Sequence, residues 1–279
     1  MSKYLKDEGV DPEAVRAQHK QVDDMYKDIA TEIGFAVGGA IPGAGIAVDA
    51  ASAVRSAWQG DWFGAAVDVF GMIPGWGDAA KAAKVTDKVN TIRRTIDVAR
   101  TGLKASYRQT KQAAAKYWDD VVKKQKAAYE AAAKKCNGTK ECLEKLEKMK
   151  YPPHYDQVPT NGTWTSGSKG DGWFQPADAS KPPIKYTNGF PDLSPHSKGN
   201  VDIPMKGNHS SDFTNADKAM REQLGDDNWT RPEGYTWHHH ENGTTMQLVP
   251  QDIHSTSKGG YATHTGGAAL YKGSHQSEF

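Results

Sequence analysis

The chain of 279 residues has only two cysteines and almost no excess of charge, with 35 lysines and arginines against 34 acidic residues. The scarcity of cysteine excludes a disulfide-dense secreted scaffold. Near its start the chain has no basic segment followed by an apolar run and a small-residue cleavage site, so we expect no Sec-type export. The remaining composition, 37% hydrophobic and 25% charged, is that of an ordinary soluble protein with a substantial core.

Near-neutrality hides three segments of unlike charge. Residues 1–80 have a net charge of −6, residues 81–150 of +11 and residues 151–279 of −4. Nine of the ten histidines lie after residue 150, so proton or metal chemistry is expected there. We therefore place a boundary near residue 150. Helix-favouring composition predicts an all-α region before it, and a hairpin followed by a helix predicts a small α+β domain after it.

The first segment is predicted to begin with helices and to continue as two apolar stretches. Asp11-Pro12-Glu13 is typical of a helix start within the first 33 residues. The apolar stretches share the motif Ile-Pro-Gly-x-Gly followed by an aspartate. Glycines at four-residue spacing let helix backbones approach closely. The glycines with this spacing are Gly34, Gly38, Gly39 and Gly43.

Two interpretations of residues 34–80 stay open. They form either a buried helical hairpin of a soluble domain or a metastable segment that inserts into a membrane or is shielded by a chaperone. Four aspartates disfavour a stable span, because each carboxylate at bilayer depth costs on the order of 3 kcal/mol. Transient insertion during delivery is compatible with these charges, which are Asp49, Asp61, Asp68 and Asp78.

Residues 81–150 are rich in alanine and lysine and have strong helix propensity. Their basic charge fits either nucleic-acid binding or a solvated helix surface. Cys136 and Cys142 flank an Asn-Gly turn, and they form a disulfide if the flanking helices fold back or are otherwise two unpaired thiols. An apolar stripe at three- and four-residue steps is predicted to face the core. Its members are Val85, Val89, Ile92, Ile96 and Val98.

Helical periodicity stops at Tyr151. Between Tyr151 and Pro195 the chain has eight prolines, together with many glycines and serines. Residues 151–187 are therefore predicted to be either a Pro/Gly-rich linker or an irregular shell around the last domain.

The stretch Gly234–His254 predicts a β-hairpin followed by a helix. Residues typical of strands flank the turn sequence Glu241-Asn242-Gly243 on both sides. Pro250 then opens the helix, which puts His254 in its first turns, facing back toward the hairpin.

Three successive histidines lie on the first strand of this hairpin. Because side chains alternate along a strand, His238 and His240 share one face while His239 points to the other. Imidazoles from the hairpin and the helix, with a third from His264, can supply three nitrogen ligands and leave positions open for water and a phosphate oxygen. A histidine outside that group is free to take a proton from water near neutral pH. The alternative is an exposed polar strand without a metal.

Residues 188–272 resemble the WHH branch of the HNH and endonuclease VII superfamily, nuclease domains that are common at the C-termini of bacterial polymorphic toxins. This resemblance implies a ββα-metal nuclease domain at residues 188–279 that hydrolyses phosphodiester bonds, with DNA as the expected substrate and RNA as the alternative. The similarity rests on five elements in order: Asn188–Pro195, Gly207–Phe213, Pro232–His239, Met246–Pro250, and His254 with His264-Thr265-Gly266-Gly267.

The resemblance also implies roles for individual side chains. His238, His254 and His264 are expected to bind one divalent ion, Zn²⁺ or Mg²⁺ ahead of Mn²⁺ or Ni²⁺. His239, which forms the catalytic pair with His238, is expected to act as general base on the attacking water. A further group is expected to contact the substrate phosphate or to support the ligands, namely His209, Asp212, His240 and Glu241.

Two positions depart from the family pattern. Nine residues separate His254 from His264, which is more than is usual, so the intervening loop must bulge if both bind one ion. If the loop cannot bulge, His264 is not a ligand. Histidine stands at position 209, where an arginine that contacts phosphate is expected.

For the whole chain, the repeats within residues 40–80 resemble the pre-toxin regions found before such domains. The expectation is an antibacterial effector that is made in the bacterial cytoplasm, secreted without a signal peptide as type VI cargo, and active in the target-cell cytoplasm. Its expected partners are an adaptor chaperone on residues 1–80, a cognate immunity protein, the secretion machinery and, transiently, a membrane. Two other classes stay open: a membrane-disrupting toxin acting through residues 34–80, and a binding module with a structural zinc site.

Overall fold

The computed structural model describes residues 1–38 and 79–272. They form two compact units, and helices α3 and α5, defined below, have residues in both. The first unit comprises Met1–Val10, Gln109–Ala216 and residues 231–272, and the second comprises residues 11–38, residues 79–108 and Asp217–Thr230.

The described residues contain a helical N-terminal region and a C-terminal region with two small sheets. The helices are α1 (Ser2–Asp7), α2 (Pro12–Gly38), α3 (Ala79–Lys135), α4 (Lys140–Met149), α5 (His209–Leu224), α6 (Gln251–His254) and α7 (Gly267–Lys272). The strands are β1 (Gly162–Ser168), β2 (Asp171–Pro176), β3 (Ile184–Thr187), β4 (Phe190–Pro191), β5 (Asn200–Asp202), β6 (Tyr235–His239) and β7 (Thr245–Pro250). The predicted change from all-helical to mixed structure is therefore confirmed.

Helix α2 begins at Pro12, as the sequence predicts. The Asp11 carboxylate accepts a hydrogen bond from the backbone N–H of Glu13 at 3.1 Å, which satisfies a donor that the helix start would leave unpaired. Gly34 and Gly38 lie in the last turns of α2. The other glycines of the spaced set, Gly39 and Gly43, lie outside the described residues.

Most of residues 34–80 also lies outside the described residues, so both interpretations of that segment stay predictions. Among the helices that the structure describes, none combines the length and the apolar character that crossing a membrane requires.

Helix α3 confirms the helical prediction for the basic segment. For one residue of the apolar stripe, the predicted position on the same helix face is wrong. Ile96 is fully buried, but Val98 is 73% exposed. A step of two residues turns a helix by about 200°, so Val98 points away from the face on which Ile96 lies. The buried face of α3 in the second unit continues from Ile96 through Leu103 and Tyr107.

The two cysteines are paired, which is one of the two alternatives that the sequence left open. Cys136 and Cys142 form a disulfide across the turn between α3 and α4, where Gly138 takes a φ of +80°. The Thr139 hydroxyl oxygen accepts a bond from the backbone N–H of Cys142 at 3.4 Å and begins α4.

The Pro- and Gly-rich segment after residue 150 forms an antiparallel sheet with strand order β1-β2-β3-β4. Its inner face shares one hydrophobic core with β7 and α6, through Phe174 and Tyr186 on one side and Val249 and Ile253 on the other. Residues 162–187 therefore pack against the elements that carry the histidines and are not an extended linker.

The second sheet has the antiparallel order β5-β7-β6 and contains the predicted hairpin. In the register of the hairpin, His238 pairs with Gln247 and His239 with Met246. Pro250 is the last residue of β7 and directly precedes α6, so the helix begins one residue later than the sequence suggested. The short α6 ends at His254, which returns this side chain to the hairpin.

Candidate active site

Three histidines from three elements converge beside the hairpin. His238 lies near the end of β6, His254 ends α6, and His264 precedes α7. Each offers a ring nitrogen, and these three nitrogens all lie within 4.8 Å of one another. The ring centroids are 4.9 to 5.4 Å apart. These residues, named here the histidine triad, are the same three that the sequence grouped.

The ring nitrogens of the triad fit a divalent ion. His264 Nδ1 donates to the carbonyl oxygen of Ala262 at 2.9 Å, which leaves its Nε2 with a free lone pair. His238 Nδ1 and His254 Nε2 are 3.1 Å apart. Their other nitrogens, His238 Nε2 and His254 Nδ1, are buried and have no hydrogen-bond partner among the described residues. Buried unpaired nitrogens are costly, whereas neutral imidazoles are common ligands of zinc and other divalent metals.

The environment keeps the triad neutral at physiological pH. Burial lowers the pKa of His254 to about 3, and nearby histidine rings contribute. Burial also holds the pKa of His238 well below its usual value. The pKa of His264 is lowered by burial in spite of its bond to Ala262. Because only the neutral ring has a lone pair to offer, all three side chains are in the form that binds a metal.

The loop between the second and third members of the triad bulges, as the sequence requires if both bind one ion. Residues 255–263, named here the ligand loop, contain a 3₁₀ turn at Thr256–Lys258 and a left-handed Gly259 with a φ of +81°. The loop then returns to α6, where the backbone N–H groups of Tyr261 and Ala262 both donate to the carbonyl of Ile253 at 2.9 Å. The longer spacing therefore still brings His264 to His254.

His239 points to the opposite side of β6 and pairs with a buried carboxylate. Its Nε2 lies 3.1 Å from Asp212 Oδ2. Asp212 is fully buried, in the first turn of α5, and it also accepts backbone N–H bonds from Lys206 and Asn208, each at 3.0 Å. Burial alone would raise the pKa of Asp212, but the bonds from His239 and from the two backbone groups hold it below its usual value.

An ionised Asp212 fixes the tautomer of His239. A carboxylate can only accept, so His239 Nε2 carries the hydrogen and Nδ1 keeps the free lone pair. The family resemblance implies for Asp212 only a contact with the substrate phosphate or a supporting role for the ligands. The structure gives it the backbone contacts and, in addition, the bond to His239.

His209 lies on the same side as His239. The ring centroids of His209 and His239 are 5.3 Å apart, and both rings pack against Phe213. The charges of His209 and His239 add to the lowering of the His254 pKa, which puts both of them near the triad. The Arg231 guanidinium lies over the ring of Phe213, 5.1 Å from its centroid.

His240 and Glu241 form a separate pair at the end of the hairpin strand. His240 Nδ1 and Glu241 Oε2 are 3.1 Å apart. The ring of His240 lies 6.3 Å from that of His238, on the shared face that strand alternation predicts. Burial, helped by the charge of Lys111, lowers the pKa of His240 to about 4, and burial raises the pKa of Glu241 to about 7.

The basic helix α3 also supports this site, which the sequence did not indicate. The indole N–H of Trp118 donates to the backbone carbonyl of Glu241 at 3.0 Å and so holds the hairpin turn. Lys111 forms an ion pair with Asp202 on β5 at 2.8 Å. Tryptophan within a basic, alanine-rich helix was the available signal for this packing role.

Residues 227–274 match the family model of WHH, described as a nuclease of the HNH/ENDO VII superfamily with conserved WHH. The matched segment contains Trp237-His238-His239 and the whole triad. No curated protein matches the chain. Residues 227–274 are therefore similar to this nuclease family, and the similarity covers the three histidines of the triad together with His239.

Proposed function

We propose that the protein is a metal-dependent endonuclease that hydrolyses DNA with a ββα-metal site made of β6, β7 and α6. The carrying observation is the neutral histidine triad, with its ligand nitrogens within 4.8 Å, beside a buried His239–Asp212 pair. A metal site next to an oriented base is what phosphodiester hydrolysis needs.

His238, His254 and His264 are the residues that would hold the ion. Bound there, a divalent ion supplies Lewis-acid stabilisation of the negative charge that develops on the phosphate and on the leaving 3′ oxygen. Nitrogen ligands favour Zn²⁺, while Mg²⁺, Mn²⁺ and Ni²⁺ are the alternatives for the assay below. Three ligands leave positions open for the substrate.

His239 accepts the proton of the attacking water. Asp212 keeps the hydrogen of His239 on Nε2, so the lone pair at Nδ1 is the one that takes the proton. Once His239 is protonated, the same carboxylate faces a cation, which it stabilises. Asp212 thus positions the base and does not itself touch the reacting atoms.

We assign contact with the substrate phosphate to His209 and Arg231. Both pack against Phe213, whose ring also contacts His239. A guanidinium can bind phosphate through two parallel hydrogen bonds, so Arg231 can supply the contact for which position 209 has only an imidazole. His240 and Glu241 are assigned a supporting role at the hairpin turn.

Cleavage of plasmid DNA by the full chain tests this function. Purified protein is treated with chelator and then assayed with Mg²⁺, Zn²⁺, Mn²⁺ or Ni²⁺, alongside His239→Ala and a matched histidine control, His19→Ala, from the second unit. We expect nicking that needs added metal, falls by about a hundredfold or more in His239→Ala, and persists in His19→Ala.

The assay has clear contrary outcomes. Cleavage that survives the chelator would remove the metal from the mechanism. Full activity of His239→Ala would remove its role as base. Cleavage of RNA but not DNA under the same metals would reassign the substrate, and no cleavage of either would overturn the nuclease reading.

We further propose that this nuclease is an antibacterial toxin that reaches a competitor's cytoplasm as type VI secretion cargo. The proposal is supported by the order of the chain, in which a glycine-rich segment precedes the residues that match the nuclease family. An adaptor chaperone on residues 1–80, an immunity protein that covers the histidine site, and brief membrane contact complete this picture.

A further inference from the structure

The segment that carries His264 is held in part by residues from outside the matched nuclease segment. His264 lies between the ligand loop and α7, and neither the loop nor its flanks belong to a strand. A ligand on irregular backbone needs other contacts to hold its position. Besides the backbone bonds to Ile253, four side-chain bonds connect this segment to residues 154–186, which precede the matched segment in the chain.

Two hydrogen bonds hold the residues on either side of His264. The Tyr186 hydroxyl, on β3, donates to the carbonyl oxygen of Thr263 at 3.0 Å. The Thr265 hydroxyl donates to the backbone carbonyl of His154 at 2.8 Å. Tyr186 is 1% exposed and Thr265 is 2% exposed, so water does not compete for these bonds.

Two further bonds hold the ligand loop itself. Lys181 Nζ donates to the carbonyl of Gly259 at 2.6 Å, and the Tyr261 hydroxyl donates to the carbonyl of Pro182 at 2.8 Å. Tyr261 also packs against the core that β2 and β3 share with β7. The loop is therefore bonded at Gly259 and at Tyr261 to the segment that connects β2 with β3.

We propose that Tyr186 and Thr265 are positioning residues for the third metal ligand, and that the sheet β1–β4 is an integral part of the metal site. This inference rests on the proposed ligand set. His238 and His254 lie on the hairpin and its helix, which position each other. The backbone before His264 is tied to α6 through Ile253. The bonds of Thr263 and Thr265 to residues of the preceding region fix the backbone directly on either side of this ligand.

The His264 ring is oriented by the same backbone. Its Nδ1 donates to the carbonyl of Ala262, next to Thr263. When Tyr186 releases Thr263, both the path of the backbone and the acceptor that selects the His264 tautomer are free to shift. Loss of such supporting bonds typically weakens metal binding about ten- to a hundredfold.

Binding of Co²⁺ to the full-length chain, with Zn²⁺ as competitor, tests the proposal. The visible absorption of Co²⁺ reports the number and geometry of its ligands. The variants are Tyr186→Phe and Thr265→Val, with Thr265→Ser as the conservative change that keeps the hydroxyl. We expect about ten- to a hundredfold weaker binding and an altered absorption spectrum in the first two, and recovery of both in Thr265→Ser.

Tyr155→Phe is the matched control. Tyr155 is 2% exposed and donates to Asp171 Oδ2 at 2.6 Å. Phenylalanine keeps the ring that packs against His154, whose carbonyl accepts the Thr265 bond, and removes only the bond to Asp171. The change breaks a bond to a charged acceptor, so it is expected to destabilise the fold at least as much as Tyr186→Phe does. We expect Tyr155→Phe to bind Co²⁺ with the wild-type affinity and spectrum.

Unchanged binding in Tyr186→Phe and Thr265→Val would overturn the proposal, and so would equal weakening in Tyr155→Phe, because affinity would then follow general stability. His264→Ala separates this failure from that of the proposed function. If His264→Ala loses Co²⁺ affinity while Tyr186→Phe does not, only the positioning role is wrong. If His264→Ala binds normally, the ligand set and its positioning residues both fail.

Discussion

At the scale of single residues, the two faces of β6 divide the chemistry between neighbouring histidines. His238 faces the triad, where burial keeps it neutral, and His239 faces a buried carboxylate. Adjacent side chains of the same type therefore meet opposite environments because strand alternation separates them by a sheet. One ring is suited to hold a metal and the other to hold a proton.

Asp212→Asn tests the tautomer of His239. An amide can offer its N–H to His239 Nε2, which would move the ring hydrogen to Nδ1 and remove the lone pair that takes the proton. We expect cleavage to fall by about a hundredfold or more, while Co²⁺ affinity stays within about twofold of wild type because Asp212 does not bond to the triad. Asn215→Ala, a neighbour on the same helix, serves as the control. Equal cleavage by Asp212→Asn and wild type would contradict this role.

At the scale of elements, α5 has different surroundings at its two ends. Its first turn carries Asp212, and its second half carries Lys218 and Glu222 in the second compact unit. There Lys218 bonds to Asp23 of α2 at 2.5 Å and lies 3.5 Å from Glu222. Burial raises the pKa of Glu222 to about 7, although Lys218 opposes the shift.

The raised pKa of Glu222 predicts a pH-dependent stability. Its folded pKa exceeds the unfolded value, so its contribution is fully present below about pH 4.5 and is lost as pH rises through about 7. Glutamine resembles the protonated form at every pH. We expect Glu222→Gln to match wild type near pH 5 and to gain about 1 to 2 kcal/mol of unfolding free energy relative to it at pH 8.

Urea denaturation of the full chain at the two pH values measures this difference. Glu233→Gln, at an exposed position, is the control and should change nothing between them. A gain by Glu222→Gln that is the same at pH 5 and pH 8 would show that ionisation of Glu222 is not its source.

The elements also explain how much the sequence could predict. The hairpin and α6 were predictable because a turn sequence and Pro250 mark their limits locally. The first sheet was not, because glycines and prolines interrupt its strands and the pairing of β1 with β2 shifts between Trp164 and Ser166. Local patterns carry no such register information.

The same limit applies to the site. The triad could be grouped from residue type and the hairpin pattern, with help from the family resemblance. The His239–Asp212 bond could not, because it depends on how α5 packs against β6. Tyr186 bonds to a residue 77 positions later in the chain, and Trp118 to one 123 positions later. Pairings over such distances arise only from tertiary packing.

At the scale of the whole molecule, the candidate site depends on far more of the chain than the matched segment. Residues of α3, β3 and α5 all bond to it, through Trp118, Tyr186 and Asp212. The parts of these elements that carry the three side chains belong to the same compact unit as the hairpin. A fragment limited to residues 227–274 would lack every one of these contacts.

Expression in a bacterial host tests the proposed role as a toxin. We expect the full chain, induced in the cytoplasm without an immunity protein, to stop growth and degrade DNA, because the nuclease would act where the chromosome lies. His239→Ala should be tolerated at the same protein level, and His19→Ala should remain toxic. Toxicity that persists in His239→Ala would instead favour the membrane-active alternative for residues 34–80.

The neutrality of the triad has an electrostatic consequence for the encounter with substrate. Ligands without charge leave both positive charges of a bound divalent ion uncompensated, whereas carboxylate ligands would cancel part of them. Residues 151–279 are otherwise net acidic, at −4, and a polyanion gains little by approaching such a surface. The ion would then add to the attraction that Arg231 and His209 offer the phosphodiester chain, so metal occupancy would strengthen recognition of the substrate as well as permit its cleavage.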